Sequence, residues 1–254
     1  MATNLLLSTP GIEFDATIDS HTAENATFPA ENAIRPQKSV NWLTSAAVTQ
    51  SEIVFDLGSG NTEEPDHLII TRLDMMTQRD SADITVLVSG DDNNSFSTPT
   101  SDTDTPGDSD LIGPDLEDWY LALAPGSAER YWRLRITTTQ SEIHEWNYVR
   151  FGTFFDIGRD PTYGIQFSRG VAPDNTRRAP FSFGCEWHGI TDANYQTFLS
   201  DVVENADRLP IFFYDTKDHT LGGHRMLSTR CISHSVTRVA EDTNNISAFF
   251  TEFI

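Results

Sequence analysis

The chain is poor in lysine, in cysteine and in long apolar runs. Among 254 residues only Lys38 and Lys217 are lysines, and 17 basic residues face 38 acidic ones, for a formal charge of −21. An acidic excess of this size repels phosphate backbones and anionic headgroups over any long contact, so nucleic acid is excluded as a partner. No stretch approaches the roughly 18 consecutive apolar residues of a spanning helix, and no membrane insertion is expected. Met1 to Pro10 holds Leu5, Leu6 and Leu7 but neither a basic n-region nor an adequate h-region, so no signal peptide is expected. The two cysteines, Cys185 and Cys231, are too few for a disulfide framework. They are one pair, metal ligands or buried thiols, and buried thiols are the default for a small apolar side chain. Also missing are G-x-S-x-G, H-E-x-x-H, a Walker loop and a dinucleotide fingerprint. No enzyme is expected, and no cofactor is implied.

What is present is enough to fold. A hydrophobic fraction of 38% and an aromatic fraction of 11%, against 22% charged residues, exclude wholesale disorder. The length suits two ordinary domains better than one. Cutting after Phe155 leaves 8 basic and 25 acidic residues before the cut and 9 and 13 after it, so the first part carries −17 and the second −4.

The first part reads as short strands separated by turn chemistry. Ile53 to Leu57 precedes Gly58-Ser59-Gly60-Asn61, and His67 to Leu73 alternates imperfectly. Ile84 to Val88 ends at a Ser89 to Asn94 cluster of turn formers, and Tyr131 to Ile136 alternates sharply. Several short strands at this spacing predict an all-β sandwich. The segment from Asp91 to Asp118 is polar and reads as an exposed acidic loop. Asp102, Asp104, Asp108 and Asp110 invite a calcium reading, but an EF-hand frame puts Pro106 and Gly113 where ligands belong, so a solvated loop is expected.

After Phe155 the pattern changes. Pro161, Gly164, Gly170, Pro173 and Pro180 punctuate an extended connection over 156–180. Phe181, Phe183, Cys185 and Trp187 then alternate as one strand, and Thr191 or Asp192 can cap a helix over 192–206. Its apolar positions, Tyr195, Phe198, Leu199, Val202, Val203 and Ala206, form one stripe. Pro210 stops it, and Ile211 to Tyr214, Met226 to Ile232 and Ile246 to Ile254 supply further strands. The expected layout is therefore an arm over 1–14, a β-sandwich over 15–155, the connection, and a β-rich domain with one packed helix over 181–254.

Few constellations carry chemistry. Cys185-x-x-His188 with Cys231-x-x-His234 offers four zinc ligands, but residues three apart on a strand point to opposite faces, so no metal site is expected. Trp119 and Tyr120 form either a sugar-stacking platform or the start of a core strand.

Phe28 to Ile34, Trp42, Ile53 to Gly58, Val86 to Asp92 and Tyr131 to Ile136 resemble the ordered landmarks of discoidin modules, which are galactose-binding-like jelly-roll sandwiches. The chain departs from that pattern at Arg35-Pro36-Gln37-Lys38, where such modules often carry an Asp-Gly-Asp turn. A second resemblance, carried by Arg177 to Phe181, the helix to Ala206 and the Pro210 to Tyr214 strand, is to distal-tail-like minor tail proteins of long-tailed viruses. Together they imply a virion structural protein of the tail tip or baseplate, made in the host cytoplasm, with other tail proteins, copies of itself and host-surface glycan as partners. A free-standing carbohydrate-binding protein is the alternative. Arg72, Arg79, Trp119 and Tyr120 are the expected glycan contacts, since guanidinium forks and aromatic faces suit sugar rings. Phe249, Phe250, Phe253 and Ile254 are expected at the assembly interface, through which the second domain forms a ring.

Overall fold

The alternation at Tyr131 to Ile136 belongs to a strand of 12 residues around which the first half of the chain is built. A computed structural model of the chain describes residues 5–8, 11–35, 41–70, 84–97, 99–104, 111–112, 118–124, 126–159, 166–169, 181–204, 211–215 and 225–252. It divides into two compact units, Pro10–Thr153 and the combination of Met1–Thr9 with Phe154–Ile254. In chain order the strands begin with β1 (Leu5–Ser8), β2 (Thr17–His21), β3 (Trp42–Leu43), β4 (Val48–Asp56), β5 (His67–Ile70) and β6 (Ile84–Asp91). They continue with β7 (Thr100–Asp104), β8 (Leu111–Ile112), β9 (Asp118–Ala122), β10 (Tyr131–Glu142), β11 (Glu145–Trp146) and β12 (Val149–Gly152). The last six are β13 (Phe154–Phe155), β14 (Gln166–Arg169), β15 (Phe181–Ile190), β16 (Ile211–Asp215), β17 (Arg225–Ala240) and β18 (Thr243–Glu252). Two short helices, α1 (Ile12–Asp15) and α2 (Asp192–Thr197), accompany them.

In the first unit β10 is central to a five-stranded antiparallel sheet in the order β2-β4-β10-β6-β7. Its Trp132, Leu134 and Ile136 are buried, while Tyr131, Arg133 and Arg135 lie half-buried on the outer face. A four-stranded sheet, β12-β5-β9-β8, brings Leu68, Ile70, Val149 and Phe151 to the same core. Two antiparallel sheets closed over one core make this unit a jelly-roll sandwich, and the chain as a whole is mainly β. The landmark residues around Phe28 to Ile34 and Trp42 take up structural posts in it. Ala30–Ile34 is a 3-10 turn whose first N–H donates to Glu24 at 2.6 Å. The amide of Asn32 donates to the Asn41 carbonyl at 2.8 Å, which leads into a fully buried Trp42. That ring packs edge-on against Trp146 with centroids 4.8 Å apart, on the small β3–β11 ladder.

Several expectations are corrected here. The stretch from Asp91 to Asp118 is not one loop, because β7 and β8 form within it. Among the described residues β7 pairs only with β6, at the end of its sheet, and an edge strand can be made of Thr, Ser and Asp because it need not be apolar on both faces. β6 itself runs on through Ser89, Gly90 and Asp91 rather than stopping at Val88. A Cβ at Gly90 would stand 2.8 Å from Glu129 Cγ and 3.0 Å from Trp132 Cη2, so glycine serves close approach there rather than a turn. The His67 strand ends at Ile70, and residues 71–73 lie outside the described residues. The segment read as an arm holds β1, which joins the second unit, and α1, which belongs to the first.

The second unit is one sheet of seven strands, β13-β1-β16-β17-β18-β15-β14. The 156–180 segment, read as an extended connection, contains β14, which pairs with β15 from Gln166↔Gly184 to Arg169↔Phe181. Phe183, Cys185 and Trp187 of β15 and Ile246, Ala248 and Phe250 of β18 are buried in one cluster. Phe183 stacks on Phe250 at 5.2 Å. Thr191 is the helix cap, its hydroxyl accepting the Asn194 N–H at 3.2 Å. The helix does not stay α-helical to 206. It passes into a π-helical turn, Phe198–Val203, whose Phe198 and Val202 are buried, with Phe198 edge-on to Trp187 at 5.9 Å; residues 205–206 lie outside the described residues.

Candidate functional site

β4 leaves the sandwich at Asp56-Leu57-Gly58, and a pinned turn follows. Gly58 and Gly60 have φ of +84° and +86°, and the Asn61 N–H reaches the Gly58 carbonyl at 3.2 Å. Gly60 thus holds the third position of a four-residue turn, where positive φ calls for glycine. The Asn61 side chain donates back to the Leu57 carbonyl at 3.0 Å. Asp56 accepts the Gly58 N–H at 2.8 Å and both arms of Arg130, at 2.6 and 2.8 Å. The Arg130 guanidinium, through these hydrogen bonds, holds the Asp56 carboxyl below the ordinary carboxylate range against the opposing effect of burial. Reciprocal backbone bonds between Glu63 and Glu129, at 3.1 and 2.9 Å, tie this turn to the segment leading into β10.

Beside the turn opens a cleft of about 490 Å³ lined by Asp15, Leu57, Gly60, Asn61, Thr62 and Glu63. Two carboxylates, an amide and a hydroxyl give it hydrogen-bond acceptors and donors with little apolar wall. Such a lining suits a neutral polyhydroxylated ligand, whose hydroxyls can donate to carboxylates, and repels phosphate or carboxylate groups.

The outer face of the five-stranded sheet carries a second polar group. Arg135 is paired with Glu52 at 2.7 Å, whereas Arg133 lies 4.2 Å from the ring centroid of Phe96 and donates to Ser89 Oγ at 3.3 Å. Burial, then the neighbouring Arg135, lowers the Arg133 pKa from its usual value. Phe96 has φ of +47°, a strained value for an aromatic residue. It is the sole aromatic between Ser89 and Asp118 in the sequence, which was the available signal that this polar stretch folds back onto the sheet.

The expected glycan contacts are placed only in part. Arg72 and Arg79 lie outside the described residues. Trp119 and Tyr120 occupy consecutive positions of β9, opposite Ile70 and Ile69. Of the expected interface residues, Phe250 is fully buried in its own unit and is corrected to a core residue, Phe249 is 39% exposed, and Phe253 and Ile254 lie outside the described residues. For the zinc reading, Cys185 is buried and His188 exposed, as alternation along β15 requires, whereas the irregularity at Cys231/Ser233 returns His234 to the face of Cys231, opposite Ala248, where its ring lies edge-on to Phe198 at 6.4 Å. Among the described residues no three His, Cys, Asp or Glu side chains gather as metal ligands.

Two histidines deserve chemical scrutiny and serve structure. His144 Nδ1 stands 2.6 Å from Ser51 Oγ, the arrangement of a base and a nucleophile, but both residues are fully buried and no substrate reaches them. His67 bonds Asp66 at 2.6 Å, and its complete burial pushes its pKa below the usual imidazole value despite that carboxylate.

No protein-family model and no curated protein matches the chain. Among solved structures it is similar to a Ruminococcus gnavus fucosidase in complex with fucose, at 14% identity over 56% of this chain and 26% of that one, with a TM-score of 0.43. The chain therefore spans about a quarter of the fucosidase's length. It is also similar to chitosan-binding module 1 of a Paenibacillus chitosanase/glucanase, at 14% identity over 55% of this chain and 96% of that one, with a TM-score of 0.41. A family 32 carbohydrate-binding module from C. perfringens NanJ, in complex with galactose, matches at 14% identity over 58% of this chain and 98% of that one, with a TM-score of 0.38.

Proposed function

We propose that the protein is non-catalytic, that its discoidin-like unit holds a neutral saccharide, and that its second unit assembles it into the tail tip or baseplate of a virion. The observation that carries the binding half is the polar cleft bounded by Asp15, Asn61, Thr62 and Glu63 beside the turn that Arg130 and Asp56 lock in place. A pre-shaped site of this kind spends little binding energy on ordering itself. The virion setting is supported by the layout, a discoidin-like module joined to a β-rich unit with one packed helix, and by the charge split that leaves the second unit freer to approach its copies in a ring.

A glycan array probed with the full chain tests the binding half. Loss of signal in Asn61→Ala and Glu63→Ala, with Trp119→Ala and Tyr120→Ala still binding, places the ligand in the cleft. The reverse pattern moves it to Trp119 and Tyr120 together with Arg72 and Arg79. A native chain that binds no glycan on the array overturns saccharide binding. The tail reading is tested by gene neighbourhood: adjacent tape-measure and tail-tube genes support it, and a lone polysaccharide locus sinks it in favour of a free-standing carbohydrate-binding protein.

A further inference from the structure

β17 is 16 residues long, but β16 covers its outer edge only from Arg225 to Thr229. Beyond that point β18 remains its partner on the other side, from Arg230↔Thr251 to Ala240↔Thr243, and among the described residues no strand runs along the outer edge. Every residue from Ile232 to Asp242 is exposed. Open edges are normally blunted by Pro, Lys or an inward charge. The run from Ser233 to Arg238 lies between irregularities at Cys231/Ser233 and Arg238/Ala240 and itself holds neither Pro nor Lys. Its one permanent cation, Arg238, is already bonded to Asp192 at 3.1 Å.

The same edge cuts an apolar row in half. Trp187 sits opposite Ile246, and Ile246 opposite Val236, so the three cross β15, β18 and β17 in register. Exposure along the row rises from 0% and 1% to 39%. The core face thus runs off the side of the sheet at Val236.

We propose that this edge is where two copies of the chain join, by antiparallel pairing of β17 with its counterpart about a two-fold axis at Val236. The second copy is the occupant that completes the row, because the axis sets Val236 against itself and continues it into Ile246 and Trp187 of the other molecule. The neighbouring positions are also matched under that symmetry. Ser235 meets the copy's Thr237, a hydroxyl pair of the kind that stabilises cross-strand contacts. His234 meets the copy's Arg238, whose charge its own Asp192 offsets, and no carboxylate lies between Cys231 and Ala240. A two-fold contact of this sort is self-complementary and closes on itself. It lies wholly within the second unit, so variants of the saccharide cleft leave it intact and the two readings fail separately.

Sedimentation velocity on the full chain across the micromolar range should show a dimer of twice 28.4 kDa. Val236→Lys sets two ammonium groups face to face and removes the central apolar contact, and should weaken the dimer at least about tenfold. A second measurement covers a Val236→Lys chain that fails to fold. Facing Cα atoms in an antiparallel pair are about 4.5 or 5.5 Å apart, within disulfide reach. Mild oxidation should therefore link Val236→Cys into a covalent dimer, while Ser247→Cys, exposed one strand further in, should stay monomeric. A native chain that remains monomeric, a folded Val236→Lys chain that dimerises unchanged, or Val236→Cys that links no faster than Ser247→Cys each overturns the proposal.

Discussion

Ser51 and His144 are 93 positions apart in the chain and 2.6 Å apart in the core, Oγ to Nδ1. The Trp146 indole N–H donates to Ser51 Oγ at 2.9 Å, which leaves the Ser51 hydroxyl hydrogen available to Nδ1. The Thr138 hydroxyl donates to the Gln140 carbonyl at 2.8 Å, so its oxygen accepts from His144 Nε2 at 3.0 Å. A neutral histidine with its proton on Nε2 satisfies the whole chain of bonds. Ser51→Ala leaves both the indole and Nδ1 without this partner in a dry site and should cost about 2–4 kcal/mol. Thr137→Ala, exposed on β10 next to Thr138, should cost about 0.5 kcal/mol or less. Urea denaturation of the two variants checks the contrast.

The thiols should be silent in the native protein. Burial pushes Cys231 up to about 11 and Cys185 higher still. A thiol-reactive dye at pH 8 should label neither until the chain unfolds, and then both. Because the folded thiols stay protonated where unfolded ones ionise, their contribution is complete below the unfolded value of about 9.0 and is lost as pH rises toward 11. Stability measured against pH should decline over that window, and a Cys231→Ser, Cys185→Ala chain should show a shallower decline.

Asp56 sets the opposite dependence. Arg130 holds its carboxyl below the ordinary value of 3.8, so the pair's contribution is present above that value and lost as pH falls through the depressed folded one. Asp56→Asn should lower the Tm at neutral pH, and the difference from the native chain should vanish in strong acid. A difference that persists at the acid end would assign the effect to packing instead.

Gly90 should not accept a larger residue. With Glu129 and Trp132 already in contact range of a Cβ there, Gly90→Val should cost about 1–3 kcal/mol by overpacking, despite valine's preference for strands. Thermal denaturation reads the loss directly.

Elements with neighbours on both sides were legible in sequence, because burial on one face forces alternation. Tyr131 to Ile136 and Phe181 to Trp187 show this, and the landmarks around Asn32 and Trp42 point to the sandwich that forms. β7 was not legible, since Thr100 to Asp104 has a single neighbour and no apolar pattern to betray it. Nor was the cleft, whose Asp15 and Asn61 to Glu63 come from separate segments and are ordinary turn residues until the fold brings them together. The Ser51–His144 bond was hidden for the same reason, as chain separation leaves no local trace. The helix cap at Thr191 was visible; the π-helical turn after it follows from packing Phe198 and Val202 on the sheet, which helical spacing alone does not reveal.

β1 pairs with β16 through Leu5↔Asp215 and Leu6↔Tyr214, and with β13 through Leu7↔Phe155. In order of synthesis, the earliest strand of the second unit therefore waits, unpaired on that side, until Tyr214 has been made. The whole sandwich from Pro10 to Thr153 is translated in the interval, and it leaves and rejoins the sheet at adjoining strands. The jelly roll is thus a guest between two halves of its host, one that other sequences could replace over evolution without disturbing the strand order around it.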